Sequence, residues 1–270
     1  MMHWILKRWY LFRNDLQSLL LLLTTDILYF ISLFAPIVTN YRIKLRRRLH
    51  KNHKLLLRFG DCAYLCRISD INTLIEMYDL KEYQKEPHFM PKVGDLVVDV
   101  GANIGEYAIW AAKVAGPQGR VIAFEPNPHA ISLLRRNVTL NGLKNVTIIT
   151  KAVHAKKGTV KIYTCPETTS SDSVLPISKQ SYMTKAMTLD SALSQERRID
   201  LIKMDIEGAE YLALQGAHQV LRKKKPRIIV ELHTRPIQKH VLTLLKSFGY
   251  HIVRKDIIND WLMIAYLEIL

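Results

Sequence analysis

The sequence predicts an α/β protein with a Rossmann-like, doubly wound, mostly parallel sheet, a C-terminal antiparallel hairpin and an N-terminal hydrophobic helical extension. Three observations predict it. Apolar runs of strand length alternate with helix-periodic segments from residue 96 onward, a glycine-rich turn (GANIG, 101–105) joins the first run to the first helix, and two strand-like runs close the chain with no helix between them.

LVVDV (96–100) is a continuous apolar run holding a single Asp, the pattern of a strand buried on both faces. EYAIWAAKVA (106–115) has helical periodicity and stops at Gly116-Pro117. RVIAFE (120–125) reads as the second strand, NPHAISLLRRNVTLNG (127–142) as a helix closed by Asn141-Gly142, and NVTIIT (145–150) as the third strand. Residues 151–198 break this rhythm. AVHAKKGTVKIYT (152–164) reads as a short pair of strands and TTSSDSVLPISKQS (168–181) as a polar loop, a place where substrate contacts are often carried.

The alternation then resumes. IDLIKMDI (199–206) is the fourth strand, GAEYLALQGAHQVLRKK (208–224) a helix, PRIIVELH (226–233) the fifth strand and RPIQKHVLTLLKSFG (235–249) a helix. HIVRKD (251–256) and DWLMIAYLEIL (260–270) form a hairpin around Ile258-Asn259. A terminal hairpin added to a five-strand parallel sheet is the topology of the class I methyltransferases.

A chain of 270 residues accommodates one large domain of about 200 residues and an appendage, and the division expected is 1–58 and 59–270. Charge supports it. The formal net charge is +15, and residues 1–58 contribute +9 of it, with 11 Lys and Arg against 2 Asp and Glu. A basic patch at one end points to an anionic surface for that end. The three cysteines, Cys62, Cys66 and Cys165, are an odd number with no completing His cluster, so neither a disulfide framework nor a zinc site is indicated.

Residues 19–38, LLLLLTTDILYFISLFAPIV, carry Asp26 as their one charge. Twenty helical residues cover about 30 Å, the hydrocarbon thickness of a bilayer. A single span, attachment to a membrane surface and an accessory helix packed on the main domain are all open on these residues. The basic residues on the C-terminal side of the stretch, Arg42 to Arg58, orient a span with the bulk of the protein in the cytoplasm. A nucleic-acid partner for RIKLRRRLH is disfavoured, since no nucleic-acid-binding fold accompanies the run.

The glycine loop departs from a nicotinamide-binding GxGxxG, which turns backbone N–H groups and a helix N-terminus toward a pyrophosphate. Here the loop is DVGANIG, with Asp99, Gly101, Asn103 and Gly105. Acidic and polar groups suit a cofactor with positive sulfonium and ammonium groups. Glu125 ends the second strand in FEPNP, at the spacing where an acidic side chain accepts the two ribose hydroxyls of a nucleoside.

DVGANIGEYA, FEPNP, TLDSAL (188–193), DLIKMDIEGAEYLALQGA (200–217) and IIVELH resemble the FkbM-type methyltransferases, a family of S-adenosylmethionine-dependent O-methyltransferases. The resemblance covers about residues 90–250 and leaves residues 1–60 outside. It implies S-adenosylmethionine over the ends of the first two strands and methyl transfer to a hydroxyl of a sugar, glycan, lipid-linked or polyketide-like small-molecule acceptor. On the matching positions it implies that Asp99, Gly101, Asn103 and Gly105 serve the methionine end of the cofactor and Glu125 the ribose. It also implies that Asn127 approaches the adenosine and that Asp205 lies nearest the transferable methyl.

An alcohol is a weak nucleophile, so transfer benefits from a base. Asp205 and Glu207 lie two apart at a strand end, and Glu231 and His233 repeat that spacing on the next strand, so these four are the candidates. Glu207 and His233 are the preferred bases. A divalent cation held by Asp205, Glu207 and Glu231 is conceivable, but no metal is assigned. Glu210 is expected to complement the dipole of the following helix. A nucleic-acid methyltransferase is the alternative, though MDIEGAE stands where an aromatic base pocket would follow the fourth strand; a non-catalytic cofactor-binding module is the other.

Overall fold

A computed structural model describes residues 54–164, 172–173 and 179–269. The apolar stretch 19–38, the basic run RIKLRRRLH (42–50) and Cys165 lie outside the described residues. Among the described residues no helix is long and apolar enough to cross a membrane.

The first element was not foreseen. β1 (Lys54–Phe59) and β2 (Cys62–Arg67) form a two-stranded sheet, so residues 54–58 of the expected extension belong to a strand. Leu55, Leu57 and Phe59 are buried and alternate with exposed neighbours, as a strand with one wet face requires. Cys62 and Cys66 are buried free thiols within β2. Helix α1 (Ile71–Tyr78) follows.

β3 (Leu96–Val100), α2 (Glu106–Ala115), β4 (Arg120–Phe124), α3 (Pro128–Leu140) and β5 (Val146–Ile149) fall where the sequence put them. Two asparagines four apart, one in the last turn of α3 and one at its C-cap, secure the hairpin. Asn137 bonds the backbone N–H and C=O of Leu65 at 2.7 and 3.1 Å, and Asn141 does the same for Ala63 at 2.9 and 2.6 Å. They stand in for a missing neighbouring strand, because an unpaired buried backbone group costs about 1–3 kcal/mol.

Residues 151–198 correct the sequence reading. β6 (Ala152–Val153), β7 (Gly158–Tyr163) and β8 (Ser181–Met187) make a three-stranded sheet in the order β6-β8-β7, and α4 (Leu189–Ala192) follows. β8 begins inside the segment read as polar loop. From Ser181 to Lys185 its side chains alternate between exposed and half-buried, with Ala186 buried, so its polar sequence is compatible with a sheet that has one face over solvent.

β9 (Leu201–Met204), α5 (Glu210–Gln215), β10 (Arg227–Leu232), α6 (Arg235–Ser247), β11 (His251–Ile257) and β12 (Met263–Glu268) complete the chain. The helix expected over 208–224 is shorter: α5 stops before Gly216, whose added Cβ would lie 2.4 Å from the His154 carbonyl, and a π-turn covers Val220–Lys224.

The main sheet has seven strands in the order β11-β12-β10-β9-β3-β4-β5. β3 pairs in parallel with both β4 and β9, and β12 pairs antiparallel with β10, as expected for a terminal hairpin. Both sheet faces are covered. Val98, Val100, Ile202, Met204 and Val230 pack toward Ala213, Leu214, Val241 and Leu245, while Val97, Val121, Leu201 and Ile229 pack toward Ala108, Ala111 and Leu134. The chain order reverses between β3 and β9, which places a crevice at their C-terminal ends.

Candidate active site

Register assembles the centre of the site before any side chain is placed. Asp99 of β3 is the Cα partner of Lys203 of β9, and Lys203 is the partner of Ile229 of β10. Side chains two apart share a face, so Asp99, Lys203, Asp205 and Glu231 all emerge toward α2 and the segment before β3. Lys203 is buried, with Nζ 3.6 Å from Asp99 Oδ1, 3.7 Å from Asp205 Oδ2 and 4.9 Å from the centre of the Tyr83 ring. Burial lowers the ammonium pKa, but Asp99 and Asp205 outweigh it and hold Lys203 charged.

The loop 101–105 is bound to both neighbouring strands. The N–H groups of Gly101 and Ala102 donate to the Phe124 carbonyl at 3.0 Å, and the N–H of Asp205 donates to the Val100 carbonyl at 3.0 Å. Gly101 has φ of 86°, and a Cβ there would come within 1.9 Å of the Asp205 carbonyl oxygen. Gly105 has φ of 98° and faces Leu134 and Ile109. Asn103 also adopts a left-handed φ of 47°, and its amide donates to Glu106 Oε1 at 3.0 Å.

Glu125 joins this loop to the next. Its Oε2 accepts the N–H of Asn103 and its Oε1 the N–H of Asn127, both at 2.8 Å. Burial raises its carboxyl to about 7 despite those two donors. Asn127 is committed at both ends: Oδ1 caps α3 through the N–H of His129 at 2.8 Å, and Nδ2 donates to Asp172 at 2.7 Å. Burial likewise raises Asp99 to about 6 and Glu106 to about 7, with Lys203 opposing both.

The second half of the site surrounds His233, one residue past β10. Its Nδ1 lies 3.2 Å from Glu210 Oε1; its Nε2 lies 3.2 Å from Glu207, 3.6 Å from Asp205 and 3.6 Å from Glu231. The four candidates for the base are therefore brought together. Burial alone would lower the imidazole, but the hydrogen bond with Glu210 and the surrounding carboxylates hold it at about 10. Burial, with Asp205 adding to it, raises Glu207 to about 7 and raises Glu231 in the same direction.

Asp205 and Glu207 do not share a strand face, because β9 ends at Met204 and Glu207 turns at φ of 52°. Glu210 also does more than complement a dipole. It is fully buried and folds back to accept the N–H groups of Ile206 and Gly208 at 3.2 and 3.0 Å. Two participants escaped sequence reasoning. Lys203 was visible as a lone charge in an apolar strand, and Tyr83, whose OH lies 2.5 Å from Glu231 Oε2 and 3.1 Å from Asp205 Oδ2, comes from a segment with no periodic signal.

Residues 99–252 match the family described as the methyltransferase FkbM domain. Methyltransferase sdnD of Sordaria araneosa is 26% identical over 193 residues, covering 58% of this chain and 74% of its own. The 31-O-demethyl-FK506 methyltransferase FkbM of Streptomyces tacrolimicus is 24% identical over 196 residues, covering 60% and 75%. The crystal structure of methyltransferase FkbM from Methylobacillus flagellatus is 20% identical with a TM-score of 0.49, covering 86% of this chain and 59% of that one. With more than half of its length matched, from the Asp99 loop through the His233 cluster, this chain belongs to the FkbM family of S-adenosylmethionine-dependent methyltransferases.

Proposed function

We propose that the protein methylates a hydroxyl oxygen of an acceptor that carries a substantial apolar part, such as a lipid-linked glycan or a polyketide-like small molecule. The observation that carries this reading is the ring of Asp205, Glu207, Glu231 and His233 beside the Gly101–Gly105 loop, which supplies proton acceptors where an alcohol needs them. The relative named for 31-O-demethyl-FK506 acts at an oxygen, which agrees with this. Exposed Ile257, Ile258 and Trp261 give the acceptor its apolar footing. They lie at or beside the turn between β11 and β12, and Leu232 pairs with Met263, so this turn stands at the same end of the sheet as the ring.

The residues present fit the cofactor. Both carboxylate oxygens of Asp99, Asn103 Oδ1 and Glu106 Oε2 are buried without a hydrogen-bond partner among the described residues, and they lie beside or beneath the glycine loop. Buried polar atoms of this kind call for a polar or cationic ligand. In this reading Gly101, Asn103, Gly105 and Asp205 hold the methionine end, with Asp99 beneath them as the charge partner of Lys203. Glu125 uses its remaining lone pairs for the ribose hydroxyls, and Asn127 positions the adenosine side through the cap of α3. When bound there, S-adenosylmethionine would supply an electrophilic methyl for the acceptor oxygen, and the carboxylates and imidazole around it would hold the acceptor hydroxyl and take its proton.

Glu207 is the residue we assign as that base. Its side chain is 27% exposed at the rim, whereas both nitrogens of His233 already face carboxylates. His233 and Glu231 position Glu207 and the acceptor. An acceptor screen with labelled cofactor over lipid-linked sugars, macrolactones, free sugars and RNA tests the function. Methyl transfer to the hydroxyl of an apolar-bodied compound, giving an alkali-stable ether, is expected; transfer to RNA alone would replace this reading with the nucleic-acid one. Glu207→Gln should lower kcat at least tenfold with cofactor affinity unchanged, and equal turnover would remove Glu207 as base.

The basic N-terminus is read as a surface anchor in the same scheme, bringing the domain to lipid-borne acceptors. Deleting residues 1–53, which leaves β1 whole, should abolish sedimentation with anionic vesicles while cofactor binding persists; retained sedimentation would overturn the anchor.

A further inference from the structure

We propose that Asp205, Glu231 and His233 form a divalent-cation site at the C-terminal ends of β9 and β10. One ligand atom from each of the three lies within 4.8 Å of the other two. The two distances from His233 Nε2, 3.6 Å to Asp205 Oδ1 and 3.6 Å to Glu231 Oε1, are too long for hydrogen bonds. They approach the edge of a coordination polyhedron. Ligands about 2.1 Å from a common ion stand about 3.0–3.5 Å from each other in octahedral or tetrahedral arrangement.

Three further observations point to an ion and not only to a knot of charge. Asp205 Oδ1 is buried with no hydrogen-bond partner among the described residues. Glu231 is nine-tenths buried, with Oε2 taken by Tyr83 and Oε1 directed at the same His233 nitrogen. Glu210 bonds the other ring nitrogen, Nδ1, at 3.2 Å, the outer-shell arrangement that fixes a metal-ligating imidazole and turns Nε2 toward Asp205, Glu207 and Glu231. Charge balance agrees with them. Asp205, Glu207 and Glu231 all face Nε2, and the nearby Lys203 ammonium is shared with Asp99. A mixed set of one imidazole and two carboxylates suits Mn²⁺ or Zn²⁺ better than Ca²⁺.

The site replaces Glu207 with His233 in the ligand set conceived from sequence, which leaves Glu207 beside the ion and able to accept a proton. Resting on the O-methylation reading, the ion would bind the acceptor hydroxyl and ease its deprotonation. The binding claim itself does not depend on that reading.

The test titrates full-length protein, stripped with chelator, with Mn²⁺ and follows free ion by electron paramagnetic resonance and heat by calorimetry. One ion per chain is expected, with an imidazole nitrogen coupling in the pulsed spectrum. Asp205→Asn, Glu231→Gln and His233→Gln should each weaken binding at least tenfold, and His233→Gln should abolish the nitrogen coupling. Glu210→Gln should weaken binding by about 10- to 100-fold while the coupling persists. Thermal unfolding of the same samples reports whether each variant is folded, and S-adenosylmethionine binding by the native chain tests the cofactor reading separately. Absence of Mn²⁺ binding in folded protein overturns the site, leaving His233 as an ion-paired bridge among the carboxylates. Binding that survives all three ligand substitutions, or lacks nitrogen coupling in the native chain, also overturns it.

Discussion

Glu210 Oε1 lies 3.2 Å from His233 Nδ1, so a carboxylate from the start of α5 holds an imidazole at the end of β10. The same oxygen accepts the N–H groups of Ile206 and Gly208, which fixes the turn carrying Glu207. Three donors therefore depend on one buried side chain. Glu210→Ala strands all three, and at about 1–3 kcal/mol for each buried group left unpaired, partly relieved by relaxation and water, the loss of stability should be about 2–4 kcal/mol. Urea denaturation of native and variant protein measures it; a loss under about 0.5 kcal/mol would show that the turn does not need this carboxylate.

Gly101 makes a second contact between loops visible from backbone alone. Its φ of 86° costs an L-residue about 1–2 kcal/mol, and the Asp205 carbonyl occupies the space of a Cβ. Gly101→Ala should therefore destabilise the fold by more than about 2 kcal/mol and weaken cofactor binding, because relief of the clash moves the turn after β9. Gly142→Ala is the comparison: φ is 64° and nothing lies within 4 Å of the added Cβ, so only the backbone cost of about 1 kcal/mol is expected. Equal losses for the two variants would contradict the steric argument.

The order of strands and the place of the crevice were legible because apolar runs, glycine turns and helix periodicity each depend on local sequence. LVVDV could be placed as a central strand without knowing its partners. The candidates Asp205, Glu207, Glu231 and His233 were legible for the same reason, since each sits at the end of a recognisable run. What was not legible depends on pairing between distant segments. Tyr83 reaches Glu231 across 148 positions, and Asn137 and Asn141 reach β2 across more than 70. Glu210 reads as a helix start, which it is, but its contact with His233 on another strand end depends on tertiary pairing that local sequence does not show.

Glu125 ties two loops together and, on the proposed reading, also accepts the ribose hydroxyls, which makes its substitution informative in two measurements. Glu125→Ala removes the acceptor for the N–H groups of Asn103 and Asn127 and, on that reading, the one for the ribose. At about 1.5–3 kcal/mol for a hydrogen bond to a charged group, affinity for S-adenosylmethionine should fall on the order of 100-fold by calorimetry. Glu125→Gln keeps the shape and one good acceptor, so an intermediate loss is expected. Affinity unchanged in both variants would remove Glu125 from the cofactor site.

The buried carboxylates also set how stability responds to pH. Burial raises Glu106 and Glu125 from the ordinary 4.5 to about 7 in the folded protein, so between those values the folded state binds more protons than the unfolded chain. Stability must then fall as pH rises across this interval: the contribution of each group is fully present below about 4.5 and is lost as pH passes through about 7. Thermal unfolding of the cofactor-free protein should show Tm declining from about pH 5 to about pH 8, opposite to a protein whose carboxylates are salt-bridged. Glu106→Gln cannot ionise, so its Tm should depend less on pH and exceed the native value at about pH 8. A native Tm that rises over this range, or a Glu106→Gln profile parallel to it, would mean that these side chains meet a compensating cation in the folded protein.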